Sequence, residues 1–266
     1  MDIKEKAAYV ADLLRDASNP IARASLLFIL GKAIAYHRDG KIEGIHSLDV
    51  ACSNCDFCQH MQASDDPRII CRLCYTLSMW DSAKQAHAIT GDILSSVEFT
   101  AEELKTISTA PGLIRINSDG ELINATHAAN IVRFASAHPY NTVAIWTKRP
   151  GILDGAIKRE GKPANLICGI SSPLINCPAR AIYSWIDFVF TVYTPAAIRA
   201  ALARGERECN GRKCMNCGYK CFKHSDKPGP VFVAELLRKP RAMKTADFSS
   251  LVAQIDELTI KEVSEK

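Results

Sequence analysis

The sequence has no long hydrophobic run: no uninterrupted apolar segment exceeds the five residues at 26–30, far short of the roughly 20 that cross a bilayer. Its first residues, Met1-Asp-Ile-Lys-Glu, lack the apolar stretch of a secretory signal. A cytoplasmic location without a membrane partner is the expectation. There is no low-complexity tract, no internal repeat and little excess of either charge. A formal net charge of +4 over 266 residues does not by itself imply a polyanionic partner. Several catalytic signatures are missing too. No G-x-G-x-x-G follows a predicted strand, and there is no Walker loop, no H-E-x-x-H and no Ser-His-Asp pattern; the seven histidines are scattered. Dinucleotide binding, P-loop chemistry and zincin-type hydrolysis therefore have no sequence support.

Cysteine, by contrast, is abundant, and nine of the eleven residues fall in two groups. The first is Cys52-Ser-Asn-Cys55-Asp-Phe-Cys58 followed by Cys71-Arg-Leu-Cys74-Tyr75. The second is Cys209, Cys214, Cys217 and Cys221, spaced x4, x2 and x3. In a reducing compartment such close pairs point to metal ligands or reactive thiols, with disulfides a minor alternative. Cys55-x2-Cys58-x12-Cys71-x2-Cys74 can supply four tetrahedral ligands to zinc. Three or four of the loop thiols equally suffice for an iron–sulfur cluster, and three would leave one iron open. Spacing alone leaves zinc and iron both standing. The second group suits an auxiliary [4Fe-4S] cluster or a closed structural zinc. His224 can substitute as a ligand, although a lone exposed histidine is the plainer reading, and Cys168 and Cys177 read as packed or loop thiols.

With 47% hydrophobic and 23% charged residues the chain can bury a full core as one α/β domain or two small ones. Helical spacing covers residues 3–16 and 20–34, after which 42–50 reads as a strand delivering Cys52 to a loop. A helix is expected over 76–89, and Thr100-Ala-Glu-Glu103 has the form of a capping box. A regular rhythm follows: strand 113–116, helix 124–137, strand 142–146, helix 152–159, strand 165–170, helix 180–185, strand 188–193, helix 196–203. A last strand at 231–236 precedes an amphipathic helix over 247–266. About six strands separated by helices predict parallel βαβ units, whose working residues sit after the carboxyl ends of the strands. Those loops carry Cys52 to Cys74, Asn117-Ser-Asp-Gly-Glu121, Thr147-Lys148-Arg149, Ser171-Ser172 and Thr194. The glycine of Asp119-Gly120-Glu121 lets a ligand approach the backbone, beside a carboxylate that accepts from an amino group.

Cys55-Asp-Phe-Cys58 and Ser118-Asp-Gly-Glu121, in this order on a βα frame, resemble the radical S-adenosylmethionine superfamily. More closely, Cys71-x2-Cys74-Tyr75, Arg115-Ile-Asn-Ser-Asp-Gly-Glu121, Pro139, Trp146-Thr-Lys148, Pro163-Ala-Asn165 and Cys209 to Cys221 resemble the phage and mobile-element gene-product-eighty-eight family. The resemblance covers about residues 45–223. It implies a partial (β/α)6 TIM-like barrel and a [4Fe-4S] cluster on three early thiols. The open iron would hold S-adenosylmethionine, cleaved by an electron donor's reducing equivalent to a 5′-deoxyadenosyl radical. The resemblance assigns Glu121 and Ser118, in the segment with Asp119 and Gly120, to the amino group of that cofactor. Lys148 would meet its carboxylate and Ser171 or Ser172 its ribose. The superfamily spacing is C-x3-C-x2-C, whereas Cys52, Cys55 and Cys58 are each separated by two residues. Bland readings stand beside these: a solvated charge for Lys148 and Arg149, a plain turn for Ser171-Ser172.

The expected organisation is a helical preface (1–40), a barrel core (41–203), a basic cysteine-rich segment (204–227) and a last strand with a C-terminal helix (228–266). The expected function is that of an iron–sulfur enzyme of the radical S-adenosylmethionine type. The alternative is a zinc-stabilised protein that binds nucleic acid through residues 204–227, where seven Lys/Arg face three Asp/Glu. Tyr219 and Phe222 are the aromatic residues available there for stacking on bases.

Overall fold

Each of the six predicted strands has a counterpart, the first cut from 42–50 to 46–48 behind a turn at 41–44, and in chain order they are neighbours in one sheet. The computed structural model describes residues 3–74, 82–209, 211, 213–217, 221–224, 228–240 and 243–264. Within these, β2 (His46–Leu48), β3 (Leu113–Ile116), β4 (Thr142–Thr147), β5 (Leu166–Ser171), β6 (Phe188–Tyr193) and β8 (Val231–Leu236) run parallel. Two short strands that the sequence did not announce flank them. β1 (Ala35–Tyr36) pairs antiparallel with β2, and β7 (Arg207–Cys209) pairs parallel with β8. The resulting order is β1-β2-β3-β4-β5-β6-β8-β7, a mixed α/β fold with an open sheet. Strands such as Leu166–Ser171 are nearly continuous in apolar residues because both faces are covered.

One face carries the helices. Ile114, Ile116, Val143, Ile145, Leu166, Cys168 and Val189 pack there with residues of α2 (Pro20–Ala33), α4 (Ser82–Ser96), α6 (Ala125–Ala137) and α7 (Pro150–Glu160). The other face holds a smaller cluster of Ile45, Ala144, Ile167, Phe188 and Phe222. α1 (Ile3–Arg15) precedes these elements. α3 (Asp56–Gln62) lies in the cysteine loop, and α8 (Ala197–Ala203) joins β6 to β7. α9 (Thr245–Ser264) buries Ile255 against Ile175 and Leu237. No helix among the described residues is long and apolar enough to cross a membrane.

Local chemistry sets the helix starts. Asn19 accepts from the Ile21 N–H ahead of Pro20, and Asn124 accepts from the His127 N–H. Thr100 and Glu103 close a reciprocal capping box at α5 (Ala101–Lys105). Glu103 also receives Arg23 from α2 at 2.7 and 2.8 Å, and this guanidinium holds its carboxyl down at about 2. Because the folded value lies below the unfolded one, the stabilisation is present above about pH 4.5 and is lost as pH falls toward 2. Glu103→Ala is expected to cost about 1–3 kcal/mol at pH 7 in urea unfolding, and much less at pH 2. An equal loss at both pH values would remove the ion pair from this account.

One expectation is corrected. Residues 180–185 form no helix; the β5–β6 connection is irregular. Its helical spacing instead places Trp185 and Ile186 in the helix-side core, with the Trp185 indole donating to Asp154 at 3.0 Å. Residues 76–81 of the helix expected at 76–89 lie outside the described residues, and α4 begins at Ser82.

Candidate metal centres

β2 ends at Leu48, and three further residues carry the chain to Cys52 at the carboxyl end of the sheet. A 3-10 turn (Cys52–Asn54), α3 and a second 3-10 turn (Ile70–Leu73) then fold the cysteine loop back on itself. Cys52, Cys55 and Cys58 are buried with Val50, and Phe57, Cys74 and Ile123 pack against them. The thiols touch one another. Cys58 hydrogen-bonds to Cys52 and Cys55 and lowers both below the ordinary thiol range, while Cys58 itself is raised. Cys74, the Gly120 N–H and the charge of Lys148 lower Cys52 further. Burial raises Cys71, with Lys148 opposing. Burial works against the charge on Lys148, but Cys71, Glu121, Cys58 and Cys74 outweigh it and its pKa is raised. The fold thus gathers all five early thiols around one lysine and one glutamate.

The loop after β3 is fixed against this nest by a buried carboxylate. Asp49 accepts from the Ser47 hydroxyl at 2.5 Å, the Ser118 hydroxyl at 2.5 Å and the Asp119 N–H at 3.1 Å. His37 lies 2.8 Å from Ser47 on the outer side of this chain of bonds. Val50 N–H donates back to the Asp119 carbonyl at 3.1 Å, so the cysteine loop and the Asp-Gly-Glu loop are stitched edge to edge. Glu121 is 2% exposed and receives three donors: Thr147 Oγ1 at 2.6 Å, Lys148 N–H at 2.7 Å and Leu122 N–H at 2.8 Å. Arg149 donates to the Leu122 and Ile123 carbonyls and lies 5.6 Å above the Phe57 ring. Neither Lys148 nor Arg149 is a solvated loop charge. Ser172 is engaged in its own turn, donating to the Leu174 carbonyl and accepting from the Leu174 N–H, whereas Ser171 ends β5.

Asp49 and Thr90, whose hydroxyl donates to the Asp49 carbonyl at 2.7 Å, were missed in the sequence, and Thr147 was placed in a working loop without a role. The one signal was a charged residue interrupting the apolar alternation at 45–50. The donor set suits a thiophilic metal, being soft, clustered and flanked by a cation that favours thiolates. Among the described residues no group of three or more Cys, His, Asp or Glu side chains already stands in a metal-holding arrangement.

A family model described as Gene product 88 matches residues 31–239. The chain belongs to the Gene product 88 family. The matched span contains both cysteine groups and every strand of the sheet. No curated protein and no solved structure matches the chain.

The second cysteine group of this Gene product 88 chain lies elsewhere on the same sheet. Cys214 and Cys221 pack with Phe222 on Ile45, Leu113, Ala144, Ile167, Phe188 and Val231, residues at or near the amino ends of their strands. The face that ends in the first nest is therefore floored by the second. Burial pushes the Cys221 thiol up to about 12, with Cys209, Cys214 and Cys217 adding to the rise. Burial also raises Cys214, while Lys41 and Arg115 oppose it. Lys41 is anchored to Glu235 at 2.6 Å, and its carbonyl accepts from the Cys214 N–H at 2.7 Å. His224 is committed elsewhere: its ring nitrogens lie 2.8 Å from Asp187 and 2.6 Å from the Ala164 carbonyl. Of the basic residues here, Arg204 pairs with Glu206 at 2.9 Å and Lys213 with Glu43 at 2.6 Å. Tyr219 lies outside the described residues. Cys168 is core-buried and pushed up to about 12, a packing thiol, and Cys177 lies in the β5–β6 connection.

Proposed function

We propose that this is an iron–sulfur protein of the radical S-adenosylmethionine type acting in a reducing, cytoplasmic compartment. Three of Cys52, Cys55, Cys58, Cys71 and Cys74 would hold a [4Fe-4S] cluster. Cys209, Cys214, Cys217 and Cys221 would hold a second metal centre that braces the floor of the sheet. The observation that carries the reading is the convergence of five thiols, Glu121 and Lys148 at the carboxyl end of six parallel strands in chain order. That strand order is what a partial (β/α)6 barrel requires, and its carboxyl end is where such folds place chemistry. A cluster with one open iron supplies electron transfer to a sulfonium cofactor. The chain's own residues bind and orient. Lys148 offers a cation for the cofactor carboxylate. Glu121, already holding β3 to β4, keeps unused acceptor capacity on Oε2 for its amino group. Ser171 can meet the ribose, whereas Ser172 is spent on its turn. An external electron donor is the implied partner.

Anaerobically purified protein is expected to contain about four iron atoms per filled nest and to give a reduced-cluster electron paramagnetic resonance signal. Cys58→Ala should abolish the signal of the first nest and the formation of 5′-deoxyadenosine together. Zinc alone in both nests, with no cofactor cleavage, would sink the reading. The zinc-stabilised nucleic-acid alternative is less well served, since Arg204 and Lys213 are already paired with carboxylates.

A further inference from the structure

We infer that Arg115 and Asn117 form a binding site for a small carboxylate that also carries an amide. The inference holds whatever the cysteines bind. Ile114 and Ile116 face the helix-side core, so Arg115 between them faces the opposite side of the sheet, where its guanidinium carbon lies 4.5 Å from the Trp146 ring centroid. Its Nε is buried and has no hydrogen-bond partner among the described residues. Two residues on, Asn117 is 4% exposed, and neither Oδ1 nor Nδ2 has a partner there. Asn117 also holds a left-handed backbone, φ 54°, at the mouth of the sheet beside Ser118.

Buried polar groups without partners are rare, and each costs roughly 1–3 kcal/mol. Three such atoms on one short segment, between the two cysteine nests, mark a place completed by something that binds. Their chemistry defines it. The Nε edge of a guanidinium held 4.5 Å from an indole ring is the fork that takes a carboxylate in the guanidinium plane. A primary amide offering both donor and acceptor is matched by another amide. Asn117 lies one residue past the end of β3 and two from Arg115, and two residues of chain span at most about 7 Å, within reach of an acylated amino acid or the end of a peptide.

The test is a nuclear magnetic resonance titration of the full, nitrogen-15-labelled chain with N-acetylglycine, N-acetylglycinamide and inorganic phosphate. The readouts are the Arg115 Nε–H and the Asn117 side-chain amide. N-acetylglycine is expected to shift both saturably, with the other two probes at least about tenfold weaker. Arg115→Lys keeps the charge but loses the fork, and Asn117→Gly tolerates the left-handed backbone; each should weaken binding by about tenfold or more. The absence of a saturable shift, or phosphate binding as well as N-acetylglycine, would overturn the assignment. So would Arg115→Lys altering the metal content of the second nest while leaving the titration unchanged, which would give Arg115 to Cys214 instead.

Discussion

Gly120→Ala is expected to destabilise the protein by about 3–4 kcal/mol and to expose the first thiol nest. Two independent effects add. The residue sits at φ 80°, where a side chain costs about 1–2 kcal/mol. A methyl group there would also overlap the Val50 carbonyl oxygen and stand 2.6 Å from Val50 Cβ. Neither can retreat. Val50 is fully buried and tied through its N–H to Asp119, and the preceding Asp49 carbonyl accepts from Thr90 and from the Gly91 N–H. What moves is the junction of the two loops, with Cys52 two residues from the clash. The same substitution perturbs the Gly120 N–H that supports the Cys52 thiolate. Urea unfolding measures the first effect. The second appears as reaction of Cys52, Cys55 and Cys58 with a thiol reagent under native conditions, while Cys168 stays protected. Stability within 0.5 kcal/mol of the parent, with the thiols still protected, would show that the two loops are not locked as described.

The parts of this architecture that were legible in the sequence are those written in local pattern. Strands such as Phe188–Tyr193 announced themselves as short apolar runs, α5 by its Thr100 capping box and α6 by its helical stretch at 124–137. The early thiols, the Asp-Gly-Glu loop and Lys148 were found because each follows a predicted strand. β1 and β7, two and three residues long, carry too little pattern to register. The helix expected at 180–185 failed because its apolar spacing serves direct burial of Trp185 and Ile186. The only local trace of Asp49 is a charge interrupting the apolar alternation at 45–50, which says nothing of its partners. Its partners Ser118 and Asp119 lie about 70 residues away, and only the pairing of β2 with β3 brings them together. The seat of the second nest is likewise tertiary. Nothing in Cys209 to Cys221 says that Phe222 will pack against Trp146 at 5.1 Å beneath the sheet.

Gly169→Ala tests that floor, and its sign is the informative part. In an ordinary strand this change is favourable by about 0.4–1 kcal/mol, because alanine restricts the unfolded chain. Here a Cβ would lie inside the Phe188 ring, with even the more distant Cε1 only 2.6 Å away. Gly169 and Phe188 are paired across β5 and β6, so the ring lies directly over the glycine. The ring has no exit. It is fully buried, and Trp146 meets it edge-on at 4.9 Å and 61°. Trp146 in turn is gripped by Phe222 and Arg115. Displacing the ring therefore pushes on the segment holding Cys221, and a loss of about 3 kcal/mol or more is expected. Phe188→Leu frees space at the same point, so the double substitution should be less damaging than the sum of the two by about 1–2 kcal/mol. Native-state thiol labelling localises the damage: Cys214 and Cys221 should react faster while Cys52 stays protected. A stabilised Gly169→Ala, or labelling that rises first at Cys52, would mean that the second cysteine segment does not rest on this aromatic stack.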